Sequence, residues 1–324
     1  MRPKDIVEQY RGGGLSKREA YSALFESVRP VFQVSNLMET LDMTWTLGVH
    51  GGGAIASINI PVSKTGEQFS IKLYIDEQDY TQIPFDYIVN GRLPEREELQ
   101  IFFSLLPDDG VFIDIGANIG WYSILAAMSG ANVYAFEPMP ETYQRLTRNI
   151  ALNSVPQIKT FAVGLGEKRA AETFYYHPNA SGSSSRANLD YLEDGRTQAV
   201  NAMIDTLDRI ACEERLERLD LIKCDIEGAE LFAFRGAVET IKRFRPFVIC
   251  EMLRKWSAKF NYYPDEIIRF FSEMGYVCAA LCRDYPGKGY LLTHVLDTTA
   301  ETNFLFVPEE RIAEIKKILS LQGN

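Results

Sequence analysis

Residues 111–120 read Val-Phe-Ile-Asp-Ile-Gly-Ala-Asn-Ile-Gly, an apolar, β-prone run that ends in glycines. The residues that follow, 121–128, are apolar and predict a helix. A strand, a tight glycine turn and a helix form the first unit of a nucleotide-binding α/β domain. Gly116 and Gly120 carry no Cβ, so we expect them to allow a sharp turn and the close approach of a ligand. Asp114, at the end of the strand, is expected to face the same crevice.

A second strand is predicted at residues 132–136, and it ends in Glu137-Pro138. Glu137 follows the glycine turn by about twenty residues, the distance at which a carboxylate accepts the hydroxyls of a ribose. The alternative interpretations are a helix cap for Asp114 and a solvated strand end for Glu137. Strand, turn, helix, strand and carboxylate follow one another in the expected order and spacing, which favours a nucleoside-binding site.

The composition of the chain argues against several classes of binding partner. The 324-residue chain is 46% hydrophobic and 24% charged, with a net charge of −10, which argues against a nucleic acid or an anionic membrane surface as the main partner. No apolar run is long enough for a membrane span. The five cysteines include no C-x-x-C pair, so we expect a reduced, cytoplasmic protein. The three histidines are far apart in sequence and predict no zinc site.

Residues 1–93 lie outside the α/β alternation and are predicted to form an N-terminal extension, with residues 94–324 as the second domain. Residues 16–25 predict a helix, while residues 54–60 and 69–75 alternate and predict a hairpin. We expect this extension to cover the crevice or to bind the acceptor, with a dimerisation arm of a homodimer as the alternative.

The remaining pattern predicts alternating strands and helices, together with a mobile loop at residues 177–188 that is either a lid or a plain surface loop. Predicted strands cover residues 158–163, 171–176, 199–203, 219–225, 245–251, 276–281 and 302–307, the last of the chain. Predicted helices cover residues 94–106, 204–218, 264–274 and 308–321, and another opens at residue 226.

Four motifs make the pattern specific: Asp-Ile-Gly-Ala-Asn-Ile-Gly at 114–120, Phe-Glu-Pro at 136–138, Ile-Asp-Thr-Leu-Asp at 204–208, and Lys-Cys-Asp-Ile-Glu-Gly-Ala-Glu at 223–230. In this order and spacing, residues 94–254 resemble the FkbM family of S-adenosylmethionine-dependent methyltransferases. The resemblance implies a class I methyltransferase fold of the α/β, Rossmann-like type. That fold has a seven-stranded, mostly parallel sheet with one antiparallel strand near its C-terminal edge and helices on both faces. It also implies O-methylation of a small molecule, such as a sugar, a glycan precursor or a polyketide-type product.

The resemblance further implies a cofactor site. Asp114, Gly116, Asn118 and Gly120 would hold the methionine part and Glu137 the ribose, with residues 163–165 near adenine. The full set of cofactor-binding candidates is Glu95, Asp114, Gly116, Ala117, Asn118, Gly120, Trp121, Tyr122, Glu137, Pro138, Val163, Gly164 and Asp225.

The residues alone leave other functions open. A nicotinamide-dependent oxidoreductase also uses an acidic residue after its second strand, and an inert nucleoside-binding scaffold is a third hypothesis. The turn at 116–120 lacks the third glycine of the dinucleotide fingerprint, and a single sheet leaves no second mononucleotide half. Both observations favour the methyltransferase.

Catalysis requires alignment of the acceptor oxygen and removal of its proton. The candidates are Asp225, Glu227 and Glu251, and Lys223 is a partner for Asp225 because residues two apart on a strand share a face. These carboxylates would supply a base or together hold a divalent cation. The base is favoured, because no histidine lies nearby and the sequence contains no dedicated metal loop. The alternative is a helix cap followed by acidic first-turn residues.

Overall fold

The computed structural model describes residues 3–322 apart from 18, 21, 25–26, 28–37, 40–44, 51–52, 61–68, 75–95, 178–183, 188–194, 283–287 and 296–298. Its largest sheet has nine strands in the order β16-β14-β13-β15-β12-β11-β5-β6-β7. These strands are β5 (Val111–Ile115), β6 (Asn132–Phe136), β7 (Ile158–Phe161), β11 (Leu221–Cys224), β12 (Phe247–Glu251), β13 (Tyr276–Leu281), β14 (Lys288–Leu292), β15 (Asn303–Pro308) and β16 (Ser320–Gln322).

The order of the strands identifies the fold. β12, β11, β5, β6 and β7 pair in parallel, whereas β15 is antiparallel to both of its neighbours, β12 and β13. The seven strands from β7 to β13 therefore form the predicted class I methyltransferase sheet. The structure adds β14 and β16 at the edge, so the sheet has nine strands and residues 302–307 are not the last of them.

Helices cover both faces of this sheet, as predicted. They are α1 (Pro3–Arg11), α2 (Arg96–Leu105), α3 (Trp121–Met128), α4 (Pro140–Asn153), α5 (Leu207–Glu213), α6 (Glu230–Arg235), α7 (Val238–Phe244), α8 (Arg254–Ser257), α9 (Asp265–Ser272) and α10 (Ile312–Ile318). No helix among these described segments is long and apolar enough to cross a membrane.

Successive residues of the central strands enter two separate cores. Phe247 and Ile249 of β12 belong to one buried cluster, while Val248 and Cys250 belong to the other. Side chains alternate across a strand, so a sheet covered on both faces needs apolar residues at every position. This is why the central strands are continuous apolar runs in the sequence.

The N-terminal segment forms a second sheet in the order β1-β2-β3-β4, with strands at Met38–Glu39, Trp45–His50, Gly53–Ile60 and Phe69–Tyr74. The predicted hairpin is present, because β3 and β4 pair antiparallel. The backbone N–H groups of Lys72 and Tyr74 donate to the side-chain oxygens of Asn153 and Asn149 on α4, at 2.8 and 2.9 Å. The sheet is thereby attached to the α/β core. Acceptor binding by this extension stays a prediction.

Three predicted helices begin or end elsewhere, and the one predicted at 308–321 covers only Ile312–Ile318, before β16. Residues 204–205 are the end of strand β10 (Gln198–Asp205), and the helix that follows covers only Leu207–Glu213. β10 pairs antiparallel with β9 (Ala170–Tyr176) and parallel with β8 (Gly164–Leu165), which extends the strand beyond its apolar pattern. β9 is therefore an edge strand of a small separate sheet. The helix predicted from residue 226 begins only at Glu230, because a turn intervenes.

Candidate active site

A cavity of about 320 Å³ opens at the carboxyl ends of β5, β6, β11 and β12. This is the edge at which ligands bind in open α/β sheets. Most predicted site residues line it: Asp114, Gly116, Ala117, Asn118, Trp121, Tyr122, Glu137, Pro138, Gly164, Lys223, Asp225, Glu227 and Glu251. Gly120 and Val163 do not line it, and Glu95 lies outside the described residues.

The glycine turn has the predicted sharp bend, and packing against the protein gives a second reason for its glycines. Gly116 has φ +85°, and a Cβ there would lie 2.1 Å from the backbone oxygen of Asp225. Gly120 has φ +96°, and its Cβ would lie 2.8 Å from Leu146. Both glycines are required by the left-handed backbone and by packing against neighbouring protein atoms. The close approach of a ligand to this turn stays a prediction.

Glu137 anchors one wall of the cavity. Its side chain is buried, and its two oxygens accept the backbone N–H groups of Asn118 at 3.1 Å and Met139 at 2.9 Å. A carboxylate has about four acceptor sites, so two remain for ligand hydroxyls. Burial raises the pKa of Glu137 to about 7, against the opposing effect of the two N–H donors.

Asp114 is buried at the end of β5, and its Oδ2 accepts the hydroxyl of Ser123 at 2.6 Å. Burial raises its pKa to about 6, although the charge of Lys223 and the Ser123 hydrogen bond oppose the rise. Asp114 is thus an acceptor fixed by Ser123 in the first turn of the following helix, whose N-cap residue Gly120 has no side chain that could accept a hydrogen bond.

Two polar atoms beside these carboxyl groups lack partners. Asn118 Oδ1 and Trp121 Nε1 are buried and form no hydrogen bond with any described residue. Both residues line the cavity. Buried polar atoms are normally hydrogen-bonded, so an unpaired acceptor and an unpaired donor in one cavity wall indicate a polar ligand.

The opposite wall carries the catalytic candidates. Asp225, Glu227 and Glu251 place carboxylate oxygens within 4.8 Å of one another. Lys223 Nζ lies 2.9 Å from Asp225 Oδ2 and 4.6 Å from the centre of the Tyr122 ring. The predicted Lys223–Asp225 pair is therefore present. β11 ends at Cys224, however, so Glu227 reaches the cavity through a turn.

The three carboxyl groups differ in their pKa. Burial and the charge of Asp225 raise the pKa of Glu251 far above its ordinary value, which favours a protonated Glu251 that donates a hydrogen bond to Asp225. Burial also acts on Asp225, but the charge and hydrogen bond of Lys223 outweigh it and hold its pKa below the ordinary value. Burial and the charges of Asp225 and Glu230 raise the pKa of Glu227 to about 8. Glu227 Oε2 is buried and has no hydrogen-bond partner among the described residues.

Hydrogen bonds with Glu230 and Tyr262 hold the turn that carries Glu227. Glu227 and Gly228 have φ +54° and +100°. Glu230 Oε1 accepts the N–H groups of Ile226 at 3.2 Å and Gly228 at 2.9 Å, while the Tyr262 hydroxyl lies 2.9 Å from Gly228 O and 3.1 Å from Glu230 Oε2. Glu230 is therefore a positioning residue. The sequence analysis did not predict a role for Tyr262 at the site, since nothing local in the sequence connects this residue with residue 228.

The described part of the predicted loop reaches the site, although none of its residues was among the predicted site residues. Ser184 and Arg186 line the cavity. Ser185 donates its hydroxyl to Glu227 O at 3.0 Å, and Arg186 forms an ion pair with Glu172 of β9. Residues 184–187 thus contact the turn that carries Glu227, while most of the predicted loop lies outside the described residues. The serine-rich composition was the only signal for this contact.

The strand order, with one antiparallel strand beside the last parallel one, and the cavity at the carboxyl edge define a class I methyltransferase domain. The model of the methyltransferase FkbM domain matches residues 114–278, half of the chain. The protein belongs to the FkbM methyltransferase family.

The individual proteins that resemble this chain share low sequence identity with it. The methyltransferase sdnD of Sordaria araneosa is 32% identical over 162 residues, which cover 41% of this chain and 62% of that protein. The hexuronic acid methyltransferase AglP of Haloferax volcanii is 24% identical, over 49% of this chain and 62% of its own length. A crystal structure of an FkbM methyltransferase from Methylobacillus flagellatus aligns with a TM-score of 0.41 and 17% identity, over 70% of this chain and 53% of that one. The chain spans less than two thirds of the length of the curated relatives it matches.

Proposed function

We propose that this protein is an S-adenosylmethionine-dependent O-methyltransferase. The observation that carries the proposal is the two-sided cavity. One wall holds Glu137 and the unpaired atoms of Asn118 and Trp121, and the other holds a cluster of carboxyl groups. The first wall suits a nucleoside joined to an amino acid, and the second suits removal of a proton from a hydroxyl.

The residues of the first wall fit the cofactor. Glu137 has acceptor sites left for the two ribose hydroxyls. Asn118 Oδ1 and Asp114 are acceptors for the ammonium of the methionine part, and Trp121 Nε1 is a donor for its carboxylate. The sulfonium of S-adenosylmethionine supplies an electrophilic methyl group when it is bound.

The residues of the second wall would activate the acceptor. An alcohol must lose its proton as its oxygen is methylated, and a base works best when its pKa is near the working pH. Glu227, with its pKa near 8 and an unpaired oxygen, suits this role better than Asp225, which Lys223 neutralises. Glu251 would keep Asp225 in place through its hydrogen bond.

A sugar or glycan precursor is the acceptor class we favour, with a polyketide-type product as the alternative. The name of AglP, a hexuronic acid methyltransferase, supports the sugar. A cation held by Asp225, Glu227 and Glu251 is less favoured, because the Lys223 ammonium already balances one carboxylate.

Calorimetry with S-adenosylhomocysteine and with NADH tests the cofactor. We expect micromolar affinity for S-adenosylhomocysteine and no binding of NADH, since the described part of the chain contains no second nucleotide half for the nicotinamide. Comparison of metabolites with and without the active protein should then reveal a product heavier by one methyl group. Binding of NADH alone would refute the proposal.

The cofactor affinity should depend on pH through Glu137. Ribose hydroxyls donate to the ionised carboxylate, so the bound state holds fewer protons and affinity falls as the pH drops below about 7. We expect the dissociation constant of S-adenosylhomocysteine to rise by up to about tenfold between pH 8 and pH 6. Calorimetry at both pH values measures this change.

Glu137→Gln is the matched control for the pH experiment. This variant cannot ionise, so we expect weaker binding with a smaller dependence on pH, the remainder coming from Asp114. An unchanged pH dependence in Glu137→Gln would show that Glu137 does not bind the ribose.

A further inference from the structure

The segment 252–264 differs in charge from the rest of the chain. It contains Arg254, Lys255 and Lys259 but no aspartate or glutamate, in a protein whose net charge is −10. It also contains four aromatic residues, Trp256, Phe260, Tyr262 and Tyr263. Such a combination of cations and rings is unusual for a solvated surface of an acidic protein, where carboxylates are normally interspersed.

The segment lies beside the catalytic candidates. It follows directly on Glu251, which lines the cavity. Its backbone packs on Gly228, where a Cβ would lie 2.8 Å from the carbonyl of Trp256. The charge of Lys255 acts on Glu227 and opposes the rise in its pKa. The basic segment therefore borders the side of the cavity at which the acceptor hydroxyl is deprotonated.

The cations of the segment are accessible. Arg254, Lys255, Lys259 and Tyr263 are exposed. Arg254 lies 5.2 Å from the centre of the Tyr263 ring and Lys255 4.2 Å from that of Trp256, contacts that hold the cationic groups against aromatic faces. Among the described residues, no carboxylate forms an ion pair with Lys255 or Lys259.

Several other surface cations of the protein are paired with carboxylates. Arg209 forms ion pairs with Asp205 and Glu213, and Arg245 forms one with Glu310. Arg186, on another part of the cavity wall, is paired with Glu172. Of the described cations that line the cavity, Lys223 and Arg186 are thus paired with carboxylates, while Lys255 and Lys259 beside it are available to a ligand.

Charge also determines the orientation of a bound anion. Inside the cavity the Lys223 ammonium is paired with Asp225, whereas the Lys255 and Lys259 ammonium groups form no ion pair with a described carboxylate, so an anionic group is attracted to the basic segment. An acceptor with an anionic group on one side and a hydroxyl on the other would therefore place the hydroxyl towards Glu227.

We infer that the acceptor carries a carboxylate or a phosphate in addition to the hydroxyl that is methylated, and that the segment 252–264 binds this anionic group. The assignment of the hydroxyl rests on the proposed function. The anion site itself depends only on the exposed cations and on their position.

Matched sugars test the inference on the full chain loaded with S-adenosylhomocysteine. Calorimetry compares methyl β-glucuronide and glucose 6-phosphate with the neutral methyl β-glucoside. We expect at least one anionic sugar to bind at least tenfold more tightly than the glucoside. A preference for the glucuronide identifies the carboxylate as the ligand, and a preference for glucose 6-phosphate identifies the phosphate.

Two double variants locate the site. Lys255→Met with Lys259→Met should weaken the binding of the anionic sugar at least fivefold, and the binding should also weaken with added salt. Lys316→Met with Lys317→Met, on the exposed surface of α10, should have no effect. Binding that is unchanged in the first variant, equal affinity for all three sugars, or no binding of either anion would overturn the inference.

The experiment separates this inference from the proposed function. The anionic sugars are also titrated into the protein without S-adenosylhomocysteine. If the nucleoside does not bind but the anions do, the methyltransferase proposal fails and the anion site stands. If the nucleoside binds and the anions do not, only the anion site fails.

Discussion

Replacing Glu227 with glutamine is expected to lower kcat by about 100- to 10,000-fold, the range typical of a lost general base. Glutamine has nearly the same shape but cannot take up a proton from the acceptor. Glu227 lies on the acceptor wall, away from Glu137 and Asn118, so the affinity for S-adenosylhomocysteine should change little. Initial rates with the identified acceptor and calorimetry with S-adenosylhomocysteine measure the two effects.

The pH profile distinguishes a base from a structural carboxyl group. The base form of Glu227 predominates only above its pKa of about 8, so kcat of the parent should rise from pH 6 to pH 9. The residual activity of Glu227→Gln should lack this rise. A variant that retains both full activity and the pH profile would show that the motif at 225–230 is only structural.

A chelator separates the base from the metal mechanism. If Asp225, Glu227 and Glu251 hold a cation, EDTA should abolish turnover and Mg²⁺ or Mn²⁺ should restore it. We expect EDTA to have no effect. Asp225→Asn serves as a second variant, and it should reduce kcat mainly by releasing Lys223 from its ion pair.

Replacing Gly116 with alanine is expected to destabilise the fold by about 2–6 kcal/mol and to abolish cofactor binding. The left-handed backbone costs a residue with a Cβ about 1–3 kcal/mol, and the forced displacement of a packed neighbour costs about 1–3 kcal/mol more. That neighbour is the carbonyl oxygen of Asp225, 2.1 Å from the Cβ position, so it is backbone that must move. Such a loss is a large share of the total stability of about 5–15 kcal/mol that is typical of proteins.

Gly13→Ala is the control for the steric overlap that a Cβ creates at Gly116. Gly13 has a similar φ of +76°, but no described atom lies within 4 Å of its Cβ position. We expect it to lose only the backbone contribution, about 1 kcal/mol. Urea unfolding of both variants measures the difference. Equal stability of Gly116→Ala and Gly13→Ala would mean that the turn and the β11 loop are not in contact as described.

The sequence by itself determined the parallel part of the sheet and the carboxyl groups on both walls of the site. Apolar runs ending in Asp114, Glu137, Asp225 and Glu251 predicted parallel strands whose carboxyl ends meet at one edge. Once strands are parallel and neighbouring, their last residues must converge, so the sequence could predict that these carboxyl groups lie together. The edge strands β14 and β16 were not predictable in this way, because their pairing partners and not their own pattern make them strands.

Only the tertiary structure decided the protonation state of those carboxyl groups. The pKa of a carboxyl group depends on burial and on neighbours that are distant in sequence. The contact of Glu251 with Asp225 distinguishes a protonated group from an ionised one, and the turn fixed by Glu230 and Tyr262 leaves an oxygen of Glu227 unpaired. The sequence specified which groups meet, and the long-range contacts specified which of them holds a proton.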